Sequence, residues 1–345
     1  MEALVMDNSN PLVPLRNEEE DFQLRQLIST APTQFPNTYI QAATSDNTRR
    51  AYRQDIQHFM SWGGLLPTTP EKIICYLHDY AATLNSRTLA RRLTALKQWH
   101  VCQRFPDPTL HPLVKKTLSG IGHVHGRPKE KAPALTIEQL TVLVEYLNQK
   151  NTLQAFRNSA LLQLGFFGAF RRSELAQLQW EHINFVAEGM EILIPRSKTD
   201  QSGEGQICAI PYGDAPLCPL SALIKWRDIS NCNAGFVFRS INKHQQMADA
   251  PLSTDGINLI IKSIAIQCQL PHAEKISGHS LRRGFATCAS RQGATFVSIM
   301  RHGRWRHERT VLGYIEEGQR FEENAAMVLL KKPQLSHSER LERQV

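Results

Sequence analysis

Between Ser119 and Pro133 the apolar rhythm of the chain breaks. The segment reads Ser119-Gly120-Ile121-Gly122-His123-Val124-His125-Gly126-Arg127-Pro128-Lys129-Glu130-Lys131-Ala132-Pro133, dense in glycine, proline and charge, with no apolar stripe. Helical patterns lie on both sides, so the chain is expected to fold as two units joined by a linker. A length of 345 residues agrees with that, at roughly 100–200 residues per domain. The expected division is a flexible N-terminal arm over 1–40, a small helical domain over 41–122, a linker over 123–135, a second domain over 136–335 and a tail over 336–345. The linker is basic and could also lie along a phosphate backbone.

The arm mixes Pro11, Pro14, Pro32 and Pro36 with an acidic run and shows no sustained period. Helix signals begin at Ser45-Asp46-Asn47, which offer N-caps before Tyr52, Ile56, Phe59 and Met60 at helical spacing. Thr69-Pro70 supplies a cap and a first-turn proline ahead of Ile73, Leu77, Tyr80, Ala81 and Leu84. Ser86 is expected to cap a third helix with Leu89, Leu93, Leu96 and His100 on one face. Arg87 and Arg91 share another face one turn apart, with Arg92 beside them. A shorter helix is expected over Pro112–Leu118. Four such helices make a small all-α domain with one basic side.

The second block opens with a capping box, Thr136-Ile137-Glu138-Gln139, ahead of Leu140, Leu143, Val144 and Leu147. The apolar run Ala160–Phe167 predicts a buried helix. Glu191–Pro195 and Gln206–Ile210 alternate around a polar stretch, which predicts a β-hairpin with a long loop. Helices follow over Ser221–Ile229, Ile257–Cys268, Leu281–Ser290 and Thr295–Met300, with a last amphipathic one over roughly Phe321–Leu330. The expected class is therefore mainly α and multidomain, the second domain being helix-rich α+β with a small antiparallel sheet. No G-x-G-x-x-G or Walker sequence is present, which argues against a doubly wound nucleotide-binding domain.

Charge narrows the function classes. The net charge is +8, and its distribution matters more than its total. Residues 1–25 carry six acids against two bases. Residues 87–131 carry ten bases against two acids, which alone equals the net charge of the chain. Such a surface attracts polyanions, nucleic acid first; a solvated face without a partner is the other reading. No apolar run reaches the roughly 18–20 residues of a membrane span, and residues 1–25 lack the pattern of a signal peptide. The seven cysteines are scattered without a C-x-x-C pair, which fits reduced thiols in a cytoplasm. His123-x-His125 lacks Cys or acid neighbours, so no metal site is expected.

The pattern His279-Ser-Leu-Arg282 decides nothing alone. About one H-x-x-R match is expected by chance in such a composition, and a second occurs at His337–Arg340. Its setting is informative: Ser277-Gly278-His279-Ser280-Leu281-Arg282-Arg283-Gly284 opens a helix, where backbone N–H groups favour anions. Three other pieces join it. They are Gly168-Ala-Phe-Arg171-Arg172-Ser173-Glu174, the Ser197-Lys198-Thr199 turn, and Gly303-Arg304-Trp305 with Tyr314 nine residues after the Trp.

This ordered set resembles the tyrosine recombinase (phage integrase) family, and within it the Cre-like members. The run Ser45–Arg53 is similar to the opening helix of the family's core-binding domain, and the likeness covers about residues 41–330. It implies an N-terminal all-α, SAM-like core-binding domain and a catalytic domain of the DNA breaking-rejoining fold. It also implies a nucleophile, Tyr314, that forms a 3′-phosphotyrosine without metal, ATP or other cofactor. Arg171 and Arg282 would clamp the phosphate oxygens, since a planar guanidinium offers paired donors. Lys198 would be the general acid. His279 would assist proton transfer near Tyr314 or the phosphate. Trp305 would donate its indole N–H, and Glu174 would orient Arg171 or His279. Arg171 is preferred to Arg172 because the family's arginine stands three residues before the acid. The family usually has glycine at position 304, where this chain has arginine, which could add a phosphate contact.

The implied partner is double-stranded DNA, gripped between the two domains, with no membrane role. Base and phosphate contacts are expected from Arg87, Arg91 and Arg92 and from Arg49, Arg50 and Arg53. The implied assembly is a homo-tetramer on two recombination sites, and a monomer or dimer off DNA. Phe321, Ala325, Val328 and Leu329 of the last helix would pack on a neighbouring protomer or on their own domain. A type IB topoisomerase, which shares this chemistry, and a non-catalytic DNA-binding regulator on the same scaffold are the competing readings.

Overall fold

The computed structural model describes residues 43–128, 130–195 and 204–319, with Ala326 and Leu330. It divides into two compact units that meet between residues 129 and 130.

Among the described residues the first unit holds four α-helices. Helix α1 (Asp46–Ser61) starts where the Ser45 hydroxyl accepts the Thr48 N–H. Helix α2 (Pro70–Asp79) starts at Thr69 with proline in its first turn. Helix α3 (Ser86–Cys102) is capped by Asn85, one residue before the expected Ser86. Asn85 is extended and its side chain accepts the Arg87 N–H, while Ser86 is already helical. Ile56, Phe59, Ile73, Leu77, Leu89, Leu93 and Leu96 form the core, each side chain contributing about 1.5–3 kcal/mol when fully buried. His100 also lies inside. It accepts the Thr68 N–H at Nε2 and so donates from Nδ1 to the Leu96 carbonyl.

Helix α4 runs over Pro112–His125, seven residues past the expected end at Leu118, so the first half of the sequence break is helical. Val114 and Ile121, two turns apart, both face the core. Gly120 and Gly122 point into open space. Each glycine costs about 1 kcal/mol against alanine, and burying Ile121 with part of Leu118 outweighs this. His123 and His125 sit in the last turn, where the helix dipole favours positive charge.

The second unit is built around helix α6 (Leu153–Phe167), buried along nearly its whole length. Helices α5 (Ile137–Asn148), α8 (Pro219–Ser230) and α10 (Gly278–Arg291) pack around it, which is why its apolar run shows no stripe. The predicted hairpin is present as β2 (Gly189–Ile194) and β3 (Gln206–Pro211), with Ile192 opposite Cys208. A strand not read from the sequence, β1 (Ile183–Val186), makes the sheet three-stranded and antiparallel in the order β1-β2-β3. A second, two-stranded sheet pairs β4 (Arg239–Ile241) with β5 (Met247–Pro251). Helix α9 (Thr254–Gln267) follows, then α10, α11 (Phe296–Gly303) and α12 (Glu308–Gly318). A five-residue helix, α7 (Arg172–Ala176), follows α6.

Helix α10 lies tightly against the segment that precedes α5. A Cβ on Gly284 would come within 2.0 Å of the Leu135 carbonyl oxygen. The Leu135 N–H donates to the Ser280 carbonyl and Arg283 donates to the Ala132 carbonyl. Among the described residues no helix is long and apolar enough to cross a membrane. The expected helix at 321–330 lies outside the described residues apart from two positions, and Phe321, Ala325, Val328 and Leu329 are not among those.

Candidate active site

Three successive carbonyls at the end of α6 organise the site. Helix termini leave such oxygens without intrahelical partners. Here Phe167 O accepts from His302 Nε2 at 2.6 Å, Gly168 O from Arg304 Nη2 at 3.0 Å, and Ala169 O from Arg282 Nη1. One helix end thereby holds side chains from α10, α11 and the turn after α11. His302, near enough in sequence to compete as the second histidine, is a structural member. It stacks on Phe285, and burial holds its ring below the ordinary histidine value.

The chain then turns through Ala169 into α7 and presents Arg171 and Glu174. The Arg171 N–H donates to Glu174 Oε2 at 2.9 Å and its Nη1 to Oε1 at 2.6 Å. Arg171 Nη2 reaches the Arg304 carbonyl at 3.3 Å. Glu174 also pairs with Arg304 at 3.3 Å, and the Glu174 side chain is only 2% exposed. Burial pushes this carboxyl up. The Arg304 guanidinium, the Arg171 amide and the Arg171 guanidinium together outweigh it and hold Glu174 below the usual carboxylate range. Glu174 thus orients Arg171.

Arg282 projects from α10 toward the same place. Its guanidinium carbon lies 4.1 Å from the Trp305 ring centroid, and its buried Nη2 has no hydrogen-bond partner among the described residues. Burial, and then the neighbouring Arg171 charge, pull its pKa down to about 9, so it remains a cation at neutral pH. Two arginines beside one shielded carboxylate, with an unmet buried donor, make a site that favours an anion.

Tyr314 completes the arrangement from α12. Its hydroxyl lies 3.2 Å from His279 Nε2, and its ring is edge-on to both His279 and Trp305. Its carbonyl accepts the Thr287 hydroxyl of α10, and it is buried with Ala286, Ile299 and Val311. The start of α10 is partly satisfied from within: Gly278 N–H donates to Asn258 and Ser280 N–H to the Ser277 carbonyl. The structure therefore brings Arg171, Glu174, His279, Arg282, Trp305 and Tyr314 together. Lys198 lies outside the described residues.

The structure gives Arg304 a different role from the one the sequence suggests. Arg304 stands at the left-handed end of α11, φ 56°, where its N–H reaches Arg301 O and the Trp305 N–H reaches Met300 O. That is the helix-ending turn that favours glycine, and a side chain there costs about 1–2 kcal/mol. The ring of Trp305 covers Gly303 so closely that no Cβ fits. Arg304 is 6% exposed and bonds inward, against the expectation that it could reach a phosphate. A positive charge in a glycine position beside a motif tryptophan was the visible clue.

The arginines of the helical unit sort differently from expectation. Arg50, Arg53, Arg87 and Arg91 are exposed, and Arg49 is half-buried and paired with Asp46. Arg92 turns into the core. Its Nη1 donates to Tyr76 Oη at 2.8 Å and contacts His58, and its Nε faces Asp55. It belongs to the inside of the unit because α3 turns it with Leu89, Leu93 and Leu96. Arg91 is half exposed and donates to buried Asp55 at 2.9 Å.

Comparison with known proteins follows the same residues. The model of the phage integrase family matches residues 133–320. An integrase/recombinase XerD homolog of Selenomonas ruminantium is 35% identical over 295 residues, which are 83% of this chain and 86% of the relative. The chain belongs to the phage integrase family of tyrosine recombinases. Its solved neighbours carry the same fold. A XerH site-specific recombinase bound to palindromic difH substrate aligns with a TM-score of 0.61 at 18% identity, over 83% of this chain and 80% of that one. A lambda integrase tetramer bound to a Holliday junction aligns with a TM-score of 0.58 at 12% identity, over 89% of this chain and 79% of that one. As a tyrosine recombinase it is an enzyme of site-specific recombination, and its mostly helical fold with a small antiparallel sheet is that of the family.

Proposed function

We propose that this recombinase cuts and rejoins DNA strands through a 3′-phosphotyrosine on Tyr314. The observation that carries the reading is the Tyr314 hydroxyl against His279, within the site that holds Arg171 and Arg282. Tyr314 Oη attacks the scissile phosphorus and its proton passes toward His279. The bond to the 5′ oxygen breaks as Lys198 protonates that oxygen. The phosphodiester is conserved as a tyrosyl ester, so the reverse attack by a 5′ hydroxyl reseals the strand without an external energy source. Arg171 and Arg282 stabilise the charge that builds on the nonbridging oxygens; losing one such preorganised donor costs about 10²–10³ in rate. Trp305 packs under Arg282 and offers its indole N–H to a phosphate oxygen.

The substrate is double-stranded DNA. The exposed basic side chains of α1 and α3 support this, as do the palindromic difH substrate and the Holliday junction bound by two structural neighbours. The proposed assembly is a tetramer on two sites, working in the cytoplasm; the lambda integrase neighbour, a tetramer bound to a Holliday junction, supports the tetramer. The helical unit to the end of α4, the linker from there to 135 and the catalytic unit from 136 to 335 are the functional division that goes with this reading.

The test is covalent trapping. Nicked duplexes tiled across the DNA flanking the gene are mixed with wild-type protein or Tyr314→Phe, in EDTA, and quenched with SDS. A protein–DNA band in wild type alone supports the reading. Binding without any Tyr314-dependent band contradicts it.

A further inference from the structure

Arg304 occupies a left-handed position that favours glycine, yet its guanidinium is buried and its bonds run inward, to His302 O at 2.8 Å, Gly168 O at 3.0 Å and Glu174 Oε2 at 3.3 Å. Its guanidinium also lies over the Phe170 ring. A strained residue that is held by several bonds invites a question about function. The shared atom gives the answer. Glu174 Oε2 takes both the Arg171 amide and Arg304, while Oε1 takes the Arg171 guanidinium. The Arg304 carbonyl accepts Arg171 Nη2 from the other side. Arg171 is thus braced twice by one residue, through the carboxylate and through the backbone.

We propose that Arg304 is a positioning residue for Arg171: it fixes the Glu174 carboxylate so that the Arg171 guanidinium meets the scissile phosphate already oriented. This rests on the reading of Tyr314 and Arg171 given above. Four groups face Glu174: Arg171 at the start of α7, Arg304 after α11, Arg282 from α10 and the Cys208 thiol from β3. Burial favours the protonated carboxyl, and Arg304 is the strongest influence against it. Without Arg304 the proton affinity of Glu174 rises. A protonated Glu174 loses an acceptor for Arg171, so cleavage should fall as the pH drops, at a higher pH than in the wild type.

The experiment measures single-turnover formation of the covalent complex against pH, on the nicked duplexes described above, with DNA affinity measured in parallel. Arg304→Gly removes the side chain and relieves the backbone. Arg304→Gln keeps a long polar side chain without charge and carries the test if the glycine variant does not fold. Both should form the complex about 10–100-fold more slowly, as when a partner that orients an active group is lost. Their DNA affinity should be unchanged and the acid limb should move upward in pH. Arg304→Lys should restore the wild-type profile in large part. In a Glu174→Gln background, Arg304→Gly should leave the pH profile where Glu174→Gln alone puts it. Uniform slowing at every pH, or effects of the two changes that simply multiply, would show a merely structural arginine and overturn the proposal. So would a variant that cleaves like the wild type. Failure of the wild type to form any Tyr314-dependent complex would overturn the proposed function, and this inference with it.

Discussion

Replacing Glu174 with glutamine preserves the shape of the carboxylate and removes its charge. The Glu174 side chain is 2% exposed and that of Arg304 3%, while Arg171 keeps 18%. The lost charge therefore leaves one fully buried guanidinium and one largely buried guanidinium without an anion. Removing one member of a buried ion pair costs about 3–5 kcal/mol. In a unit of this size each kcal/mol lowers the melting temperature by about 2–4 °C, so the expected fall is about 6–20 °C. The pH dependence has a definite sign. The Glu174 pKa is lower folded than unfolded, so its stabilisation is present above the unfolded value and is lost as pH falls through the folded one. Scanning calorimetry of both proteins should therefore show a wide gap at neutral pH that narrows only in acid, below the ordinary carboxylate range. Equal melting temperatures at neutral pH would refute the claim that Glu174 neutralises this site.

Three further outcomes are expected. Gly284→Ala should lower the melting temperature through overpacking of about 1–3 kcal/mol or more, because the added methyl meets the Leu135 carbonyl at 2.0 Å and the Phe166 ring at 2.9 Å; an unchanged melt would mean that α10 does not pack there. Arg91→Ala should weaken DNA binding and make the salt slope shallower by about 1, whereas Arg92→Ala should cost stability and leave the slope alone, as titrations at several salt concentrations will show. Lys198→Ala should slow covalent-complex formation by about 10²–10⁴ with DNA affinity retained; a smaller loss in single-turnover kinetics would remove Lys198 as the general acid.

Local chemistry was legible where one residue decides it. Ser45, Thr69 and Thr136 cap their helices because a hydroxyl before an apolar stripe leaves few other options. Trp305 and Tyr314, nine residues apart, meet in the fold because α11 and α12 both pack on α10. Helix α12 is not legible in the sequence, since its acids and arginine hide a stripe as short as Val311 and Tyr314. The end of α4 lies beyond where the sequence puts it, because two glycines and two histidines look like a loop until Ile121 has a core to enter. Arg92 reads as a surface arginine because sequence does not show that Asp55 and His58 on α1 and Tyr76 on α2 await it. Arg304 stands out in the sequence, but its inward role does not, for the same reason: its partners, Gly168 and Glu174, are about 130 residues distant in the chain.

The most direct test is to identify the atom that carries the DNA. The trapped complex should be digested with protease and nuclease, and the adduct located by mass spectrometry. The expected product is a peptide containing Tyr314, esterified through its phenolic oxygen to a 3′ phosphate. An adduct on another residue, or a link to a 5′ phosphate, would contradict the account.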